Sequence, residues 1–185
     1  MSQSEKKQFL KKVTVLVDTR EKENAHIIER LEEWGVSFDR QKLDYGDYSF
    51  VVDGKDFRQT CVVERKANVD EIYGNIMQER DRFEKEMAAS SVLARSLTLI
   101  IENCADEKAL KDTVLEDREF YRSPNRKVSK IGKFVYSTVR AWELRYNFHF
   151  RCVADKNDTA AEILECFYWY WHNYKKMTAP LRRKP

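Results

Sequence analysis

Glycine and proline are scarce, five and three among 185 residues. The glycines (Gly35, Gly46, Gly54, Gly74, Gly132) fit neither G-x-G-x-x-G nor a P-loop, which removes the usual phosphate cradles for nucleotides. Internal repeats and low-complexity blocks are missing too, so the length fits one domain with its own core. The four cysteines, Cys61, Cys104, Cys152 and Cys166, form no C-x-x-C pair and have few histidines nearby. Neither a zinc ribbon nor a disulfide framework is indicated, and all four read as buried thiols. No apolar run approaches the ~20 residues needed to span a bilayer, and the opening MSQSEKKQFLKK lacks the apolar stretch of a secretory signal. An intracellular protein with no membrane partner is expected. Strong net charge is absent as well: 34 Lys and Arg against 31 Asp and Glu give +3, a balance that does not by itself mark a nucleic-acid binder.

The charge that is present is unevenly spread. Arg122, Arg126, Lys127, Lys130, Lys133, Arg140 and Arg145 face a single acid, Glu143, within one stretch, which is either a solvated basic face or a surface that contacts phosphates. VTVLVD at Val13–Asp18 and LTLIIE at Leu97–Glu102 are apolar on both faces and predict interior strands. Ile27, Ile28, Leu31 and Trp34 recur at helical spacing, with Asn24 as cap and Gly35 as stop. Tyr48–Val52, the Asp53-Gly54 pair and Thr60–Glu64 predict two antiparallel strands joined by a turn or short loop. One long helix is expected from Val69 through Met87, and another over Ile131–Tyr146. Residues 103–128 read as irregular or partly helical around Ser123-Pro124. A short strand at Phe148–Val153 precedes a helix that Thr159 and Glu162 open as a capping box and that runs to about Lys175. The order predicts an α/β fold with a mixed central sheet flanked by helices.

Three segments put charge where strands are expected to end: Asp18-Thr19-Arg20-Glu21, Gly46-Asp47, and Glu64-Arg65-Lys66 followed by Asp70. Strand ends are where α/β folds assemble active sites, and carboxylates gathered there repel unless a cation lies between them. Hard oxygen donors suit magnesium or manganese, which makes Asp47 and Glu64 the candidate ligands. Side chains alternate along a strand, so Glu64 and Lys66 share a face while Arg65 points to the other. A metal that acidifies water beside an ammonium that offsets charge is the apparatus of phosphodiester hydrolysis. E-x-K alone is a weak signal, since an exposed strand often carries both charges. The joint pattern is more specific.

VLVDTRE at Val15–Glu21, LDYGDYSF at Leu43–Phe50 and VVERKANVDEIYGNI at Val62–Ile76 together resemble the nuclease domain of XPF-type structure-specific endonucleases, members of the PD-(D/E)XK restriction-endonuclease-like superfamily. The family signature, G-D, a spacer, then E-R-K-x-x-x-D, is matched by Gly46-Asp47, Glu64-Arg65-Lys66 and Asp70. RDRFEKEM at Arg80–Met87 and LTLIIE resemble the next helix and strand. The resemblance implies a restriction-endonuclease-like fold and a DNA endonuclease that needs Mg2+ or Mn2+ and leaves a 5′-phosphate. It also implies that Asp47 and Glu64 bind metal, with the Arg65 carbonyl as a backbone ligand, Asp18 as a further acidic candidate, and Lys66 as the catalytic lysine. Arg20, Glu21, Arg65 and Asp70 would support the site or contact DNA; for Arg20, Arg65 and Asp70 the alternative is a network of ion pairs that fixes the ligands. Arg82 would touch a phosphate or pair with Glu79 or Glu86 along its helix.

No stretch resembles the tandem helix-hairpin-helix modules of larger family members, so a stand-alone phage or bacterial form is expected, in cytoplasm or nucleoid (in the nucleus if eukaryotic), with a targeting partner protein as a further expectation. Residues 1–12 read as an N-terminal extension, 13–176 as the nuclease domain and 177–185 as a flexible basic tail. DNA is the expected partner, held by Arg82, Arg122, Arg126, Lys127, Lys130 and Lys133. Phe167, Tyr168, Trp169, Tyr170, Trp171 and Tyr174 put aromatic surface on more than one face of the last helix, which suggests a homodimer interface, with base stacking on single-stranded DNA as another use. The expected activity is cleavage at branched, flap or junction DNA. A Holliday-junction resolvase or restriction-like nuclease is the nearest alternative, and a non-catalytic DNA-binding scaffold the more distant one.

Overall fold

The computed structural model describes residues 3–93, 96–114 and 131–178. Seven strands form one mixed sheet: β1 (Thr14–Asp18), β2 (Ser37–Gln41), β3 (Tyr48–Val52), β4 (Lys55–Asp56), β5 (Cys61–Lys66), β6 (Ser96–Ile101) and β7 (His149–Cys152), in the order β2-β1-β3-β5-β6-β7 with β4 paired to β3. β1 runs parallel to β2 and antiparallel to β3, while β5, β6 and β7 run parallel to one another. β3 meets β5 antiparallel through the pair Tyr48 and Val63. The C-terminal ends of β1 and β5 therefore flank the start of β3, and the three charged segments come to one edge of the sheet.

Alternation along β5 divides the core. Cys61 and Val63 face a cluster with Val15, Val17, Phe50 and Ile100, covered by α1 (Gln3–Leu10), α2 (Ala25–Glu33) and α7 (Thr159–Thr178). Val62 joins Leu97, Leu99 and Ile101 on the opposite face, under α3 (Val69–Gln78), α4 (Arg80–Leu93), α5 (Glu107–Asp112) and α6 (Ile131–Tyr146). The expected mixed sheet flanked by helices is what the chain forms.

Several elements differ from expectation. β2, with the sequence SFDRQ, is an edge strand with little buried surface, so it lacks the apolar alternation that marks a strand. The single helix expected over Val69–Met87 is two, because Glu79 leaves helical backbone at φ −127° and turns the chain between α3 and α4. Asn24 does not cap α2 with its side chain; its Oδ1 accepts a hydrogen bond from Arg40. The Thr159–Glu162 capping box does not form either. Asp155 caps a 3-10 turn over Lys156–Asp158 that leads straight into α7, and Glu162 pairs with Arg151 instead.

Residues 3–12 are more than an extension. α1 docks on α7, with Phe9 fully buried and in ring contact with Phe50, Tyr168 and Trp171. Glu5 accepts from Lys175 at 2.5 Å, and Lys6 pairs with Glu165. This docking also accounts for the aromatic surplus of α7. Phe167, Tyr168 and Trp171 are buried, Tyr170 and Tyr174 pack edge-on against Phe57, and Trp169 is 38% exposed. Most of these aromatics thus find partners within the chain, so their number alone does not call for a dimer through this helix.

Candidate active site

Asp47 occupies the centre of the sheet edge. Its N–H donates to the Val63 carbonyl at 2.8 Å and its own carbonyl accepts from the Asp18 N–H at 2.8 Å, so its backbone bridges β5 and β1. Gly46 precedes it at φ +67°, where a Cβ would lie 3.0 Å from the Val63 carbonyl and 3.1 Å from the Val62 Cβ. Both the left-handed backbone and the close approach call for glycine. The result is a carboxylate aimed at the end of β5, where Oδ2 accepts from the Arg65 N–H at 2.8 Å. Among the described residues, Asp47 Oδ1 has no hydrogen-bond donor.

Glu64 and Lys66 stand on the same face of β5, 13% and 10% exposed, with the Lys66 ammonium 2.9 Å from Glu64 and 3.5 Å from Glu71 in the first turn of α3. The ammonium also lies over the Phe83 ring, 5.3 Å from its centre. Burial alone would pull Lys66 down, but the surrounding charges of Glu64, Glu71 and Asp47 hold it well above the usual lysine range. Asp47 moves the other way in chemical effect: burial, then the adjacent charge of Glu64, push its carboxyl well above the usual range against the pull of the Arg65 N–H. The three groups, with Arg20, Asp44, Tyr45, Asn75, Arg82, Phe83 and Met87, line a cavity of about 210 Å³.

Arg65 points to the opposite face, as strand alternation requires. Its guanidinium is buried between two carboxylates, 2.5 Å from Glu21 and 2.7 Å from Glu102, and Glu102 in turn contacts His26 of α2 at 2.7 Å. This network lies behind the cavity and anchors the strand whose Arg65 N–H fixes Asp47. For Arg65 the ion-pair alternative is the arrangement found, with Glu21 as one of its partners.

Asp18 differs from expectation as a ligand. Its two oxygens accept four hydrogen bonds, from the Arg20 N–H, two guanidinium nitrogens of Arg20 and the Leu43 N–H. A carboxylate offers about four acceptor positions, so all are taken, and Asp18 is absent from the cavity lining. It holds Arg20 at the rim and ties down the loop that leads to Asp47. Arg20 also donates to the Leu43 carbonyl at 3.0 Å.

The remaining candidates scatter. Asp70 occupies the first turn of α3 and does not line the cavity. Arg82 does, while pairing with Glu79 at 3.3 Å. Lys133 is exposed on the first turn of α6. Arg122, Arg126, Lys127 and Lys130 lie outside the described residues. Sequence reasoning missed Glu71, Glu102 and His26. Glu102 did carry a signal, a charge closing the apolar run LTLIIE, of the same kind that singled out Asp18; Glu71 and His26 gain their places only through tertiary packing.

Among the described residues no group of three or more His, Cys, Asp or Glu side chains is placed to hold a metal ion. Two carboxylates do fit magnesium or manganese, which bind through one or two carboxylates and complete their shells with water and substrate oxygens. A half-buried Asp47 with one undonated oxygen beside a second carboxylate is a donor set of that chemistry.

Comparisons with known proteins agree with this geometry. No curated protein matches the chain in sequence at a significant level. Among solved structures, XPF from Aeropyrum pernix superposes with a TM-score of 0.59 at 19% identity, covering 89% of this chain and 68% of that one. XPF from Aeropyrum pernix in complex with DNA superposes with a TM-score of 0.57 at 20% identity, over 91% and 68% of the two chains. The likeness is one of fold. Residues 17–166 match the ERCC4 domain, a span that holds every strand after the start of β1 and every residue lining the cavity, and the chain belongs to the ERCC4 domain family.

Proposed function

We propose that the chain is a DNA endonuclease dependent on magnesium or manganese that hydrolyses phosphodiester bonds at branched, flap or junction DNA. The observation behind this reading is the meeting of Asp47, Glu64 and Lys66 around one cavity. Two adjacent, half-buried carboxylates lose by their proximity unless a cation shares them, and a single lysine offsets only one charge of the two. Family membership and the DNA-bound relative point to the same substrate class.

Asp47 through Oδ1, Glu64 and the Arg65 carbonyl would hold the ion. When bound, it supplies Lewis acidity and positive charge at the scissile phosphate. Lys66 stays cationic throughout the neutral range because its carboxylate neighbours favour the charged form. It would donate to a phosphate oxygen, or orient the attacking water, as negative charge builds in the transition state. Arg20 and Arg82 at the rim would meet flanking phosphates. Contacts of that kind set position on DNA without reading sequence, which suits an enzyme selecting by shape. The exposed pair of Arg82 with Glu79 belongs to a class worth only ~0.2–1 kcal/mol.

The test is cleavage of labelled single-stranded, duplex, flap, splayed-arm and four-way junction DNAs with magnesium or manganese. Lys66→Ala and Glu64→Gln are run beside the wild type. Metal-dependent cutting that falls by about a hundredfold or more in each variant, with DNA affinity retained within a few-fold, supports the assignment. Undiminished cutting by either variant overturns it. DNA binding with no cutting by the wild type on any substrate would make the chain a non-catalytic scaffold.

A further inference from the structure

Cys104 and Cys152 belong neither to the cavity nor to the Arg65 network, yet their sulfurs lie 3.6 Å apart and share an S–H···S hydrogen bond. Cys152 ends β7 and Cys104 follows β6 by way of Asn103, which adopts φ +53°. The backbone fixes the pair. Cys104 N–H donates to the Val153 carbonyl at 3.0 Å, and Val153 N–H donates to the Ile101 carbonyl at 2.9 Å, so the ladder between the two segments continues past both thiols. Cys104 is 3% exposed and Cys152 half-buried, so the pair meets solvent chiefly through Cys152.

We propose that Cys104 and Cys152 form a reversible dithiol site that closes to an intramolecular disulfide on exposure to hydrogen peroxide. The sulfurs start from van der Waals contact and must close to about 2 Å. The Cys104 thiolate attacks one peroxide oxygen; the O–O bond breaks, hydroxide leaves and Cys104 sulfenic acid remains. Cys152 sulfur then attacks that sulfur, the S–O bond breaks, and its hydroxyl leaves as water with the Cys152 proton. The released hydroxide takes up the proton lost by Cys104, so the two thiols give up two protons and two electrons in all and one peroxide becomes two waters. The hydrogen bond between the two thiols pulls Cys104 below the usual thiol range while the same pairing pushes Cys152 up. Cys61 and Cys166 provide the contrast: burial pushes Cys61 well above the usual range, and Cys166 up to about 11.

The position gives the bridge a structural consequence. Cys104 lies two residues beyond Glu102, which holds the Arg65 guanidinium, so the bridge would stiffen the turn behind the candidate active site. The proposal itself stands on the thiol pair and does not depend on nuclease activity.

The full-length reduced chain, treated with a modest excess of hydrogen peroxide and then alkylated, is analysed by intact mass and by peptide mapping under non-reducing conditions. The expected result is a monomer lighter by two hydrogens before alkylation, with a linked Cys104–Cys152 peptide pair. Cys61 and Cys166 remain alkylated, and dithiothreitol restores all four thiols. The bridged form melts at a higher temperature than the reduced one. Cys104→Ser under the same treatment forms no intramolecular bridge. Four alkylated thiols in treated wild type, a bridge between any other pair, a link only between chains, or over-oxidation of Cys104 without a bridge would overturn the proposal.

Discussion

Asp18 shows how a residue in a signature position serves the site without entering it. Burial by itself would raise its carboxyl, but hydrogen bonds from Arg20 and the Leu43 N–H outweigh burial and leave it below the usual carboxylate range. A lowered carboxyl contributes stability that is present above the unfolded value of about 3.9 and is lost as pH falls through the folded value. Asp18→Asn removes the charge and leaves buried donors short of acceptors, at a cost of about 1–3 kcal/mol at neutral pH. Denaturant unfolding at pH 7 and again near pH 3 checks both parts: the variant loses stability at pH 7, and its gap from wild type narrows in acid. A gap that stays constant would remove the carboxylate from the account. At this scale the sequence singled out several of the acids and bases that the fold brings together, because charges at the ends of apolar runs stand out against their surroundings. It did not show which of them face the cavity and which turn inward, since that depends on where the Arg20 guanidinium and the Leu43 amide come to lie. Glu71 and His26 are the opposite case. Each sits in an ordinary helical position and becomes part of a charge network only when α3 and α2 pack against β5.

At the scale of elements, strongly apolar strands and long periodic helices were legible: β1, β6 and α6 follow from hydrophobic pattern alone. β2 was not, because an edge strand with polar side chains is held by backbone pairing to β1, which leaves no periodic trace. The break at Glu79 was hidden for a related reason: apolar spacing carries on across it, and the change of direction comes from how α3 and α4 seat on different parts of the sheet. Close packing between helices is likewise invisible in composition. A Cβ at Gly132 would fall 1.8 Å from the Leu110 carbonyl, so α6 touches the backbone of α5 there, while one at Gly74 in the middle of α3 meets nothing within 4 Å. The same substitution should then have opposite effects. Gly132→Ala forces two helices apart and costs at least about 1–3 kcal/mol; Gly74→Ala lowers the entropic cost of ordering α3 and gains ~0.5–1 kcal/mol. Thermal unfolding of the two variants side by side decides this. Equal shifts would mean that the α5–α6 contact adapts at no cost.

Across the whole molecule, the two faces of the sheet divide the work. Glu64 and Lys66 extend toward the face covered by α3 and α4, while the face covered by α1, α2 and α7 carries an aromatic cluster in which Phe50 stacks between Phe57 and Phe167 at 4.6 and 4.7 Å. α1 lies outside the span that matches the ERCC4 domain, yet it supplies Phe9, which has no exposed surface and contacts the aromatic rings of both β3 and α7. Truncating a fully buried phenylalanine costs about 3–5 kcal/mol, since transfer energy is lost and a cavity remains. That is a large fraction of the ~5–15 kcal/mol typical of a domain. Phe9→Ala should therefore lower the melting temperature by on the order of 10 °C, given ~2–4 °C per kcal/mol at this chain length. The cavity formed by Asp47, Glu64 and Lys66 opens on the other face, so at temperatures where the variant is fully folded its affinity for DNA and its rate of cleavage should equal those of the wild type. Melting curves and DNA titrations on the same preparations separate the two effects. Loss of DNA binding in a folded Phe9→Ala protein would show that the aromatic face shapes the site through the sheet, and the division of labour would have to be given up.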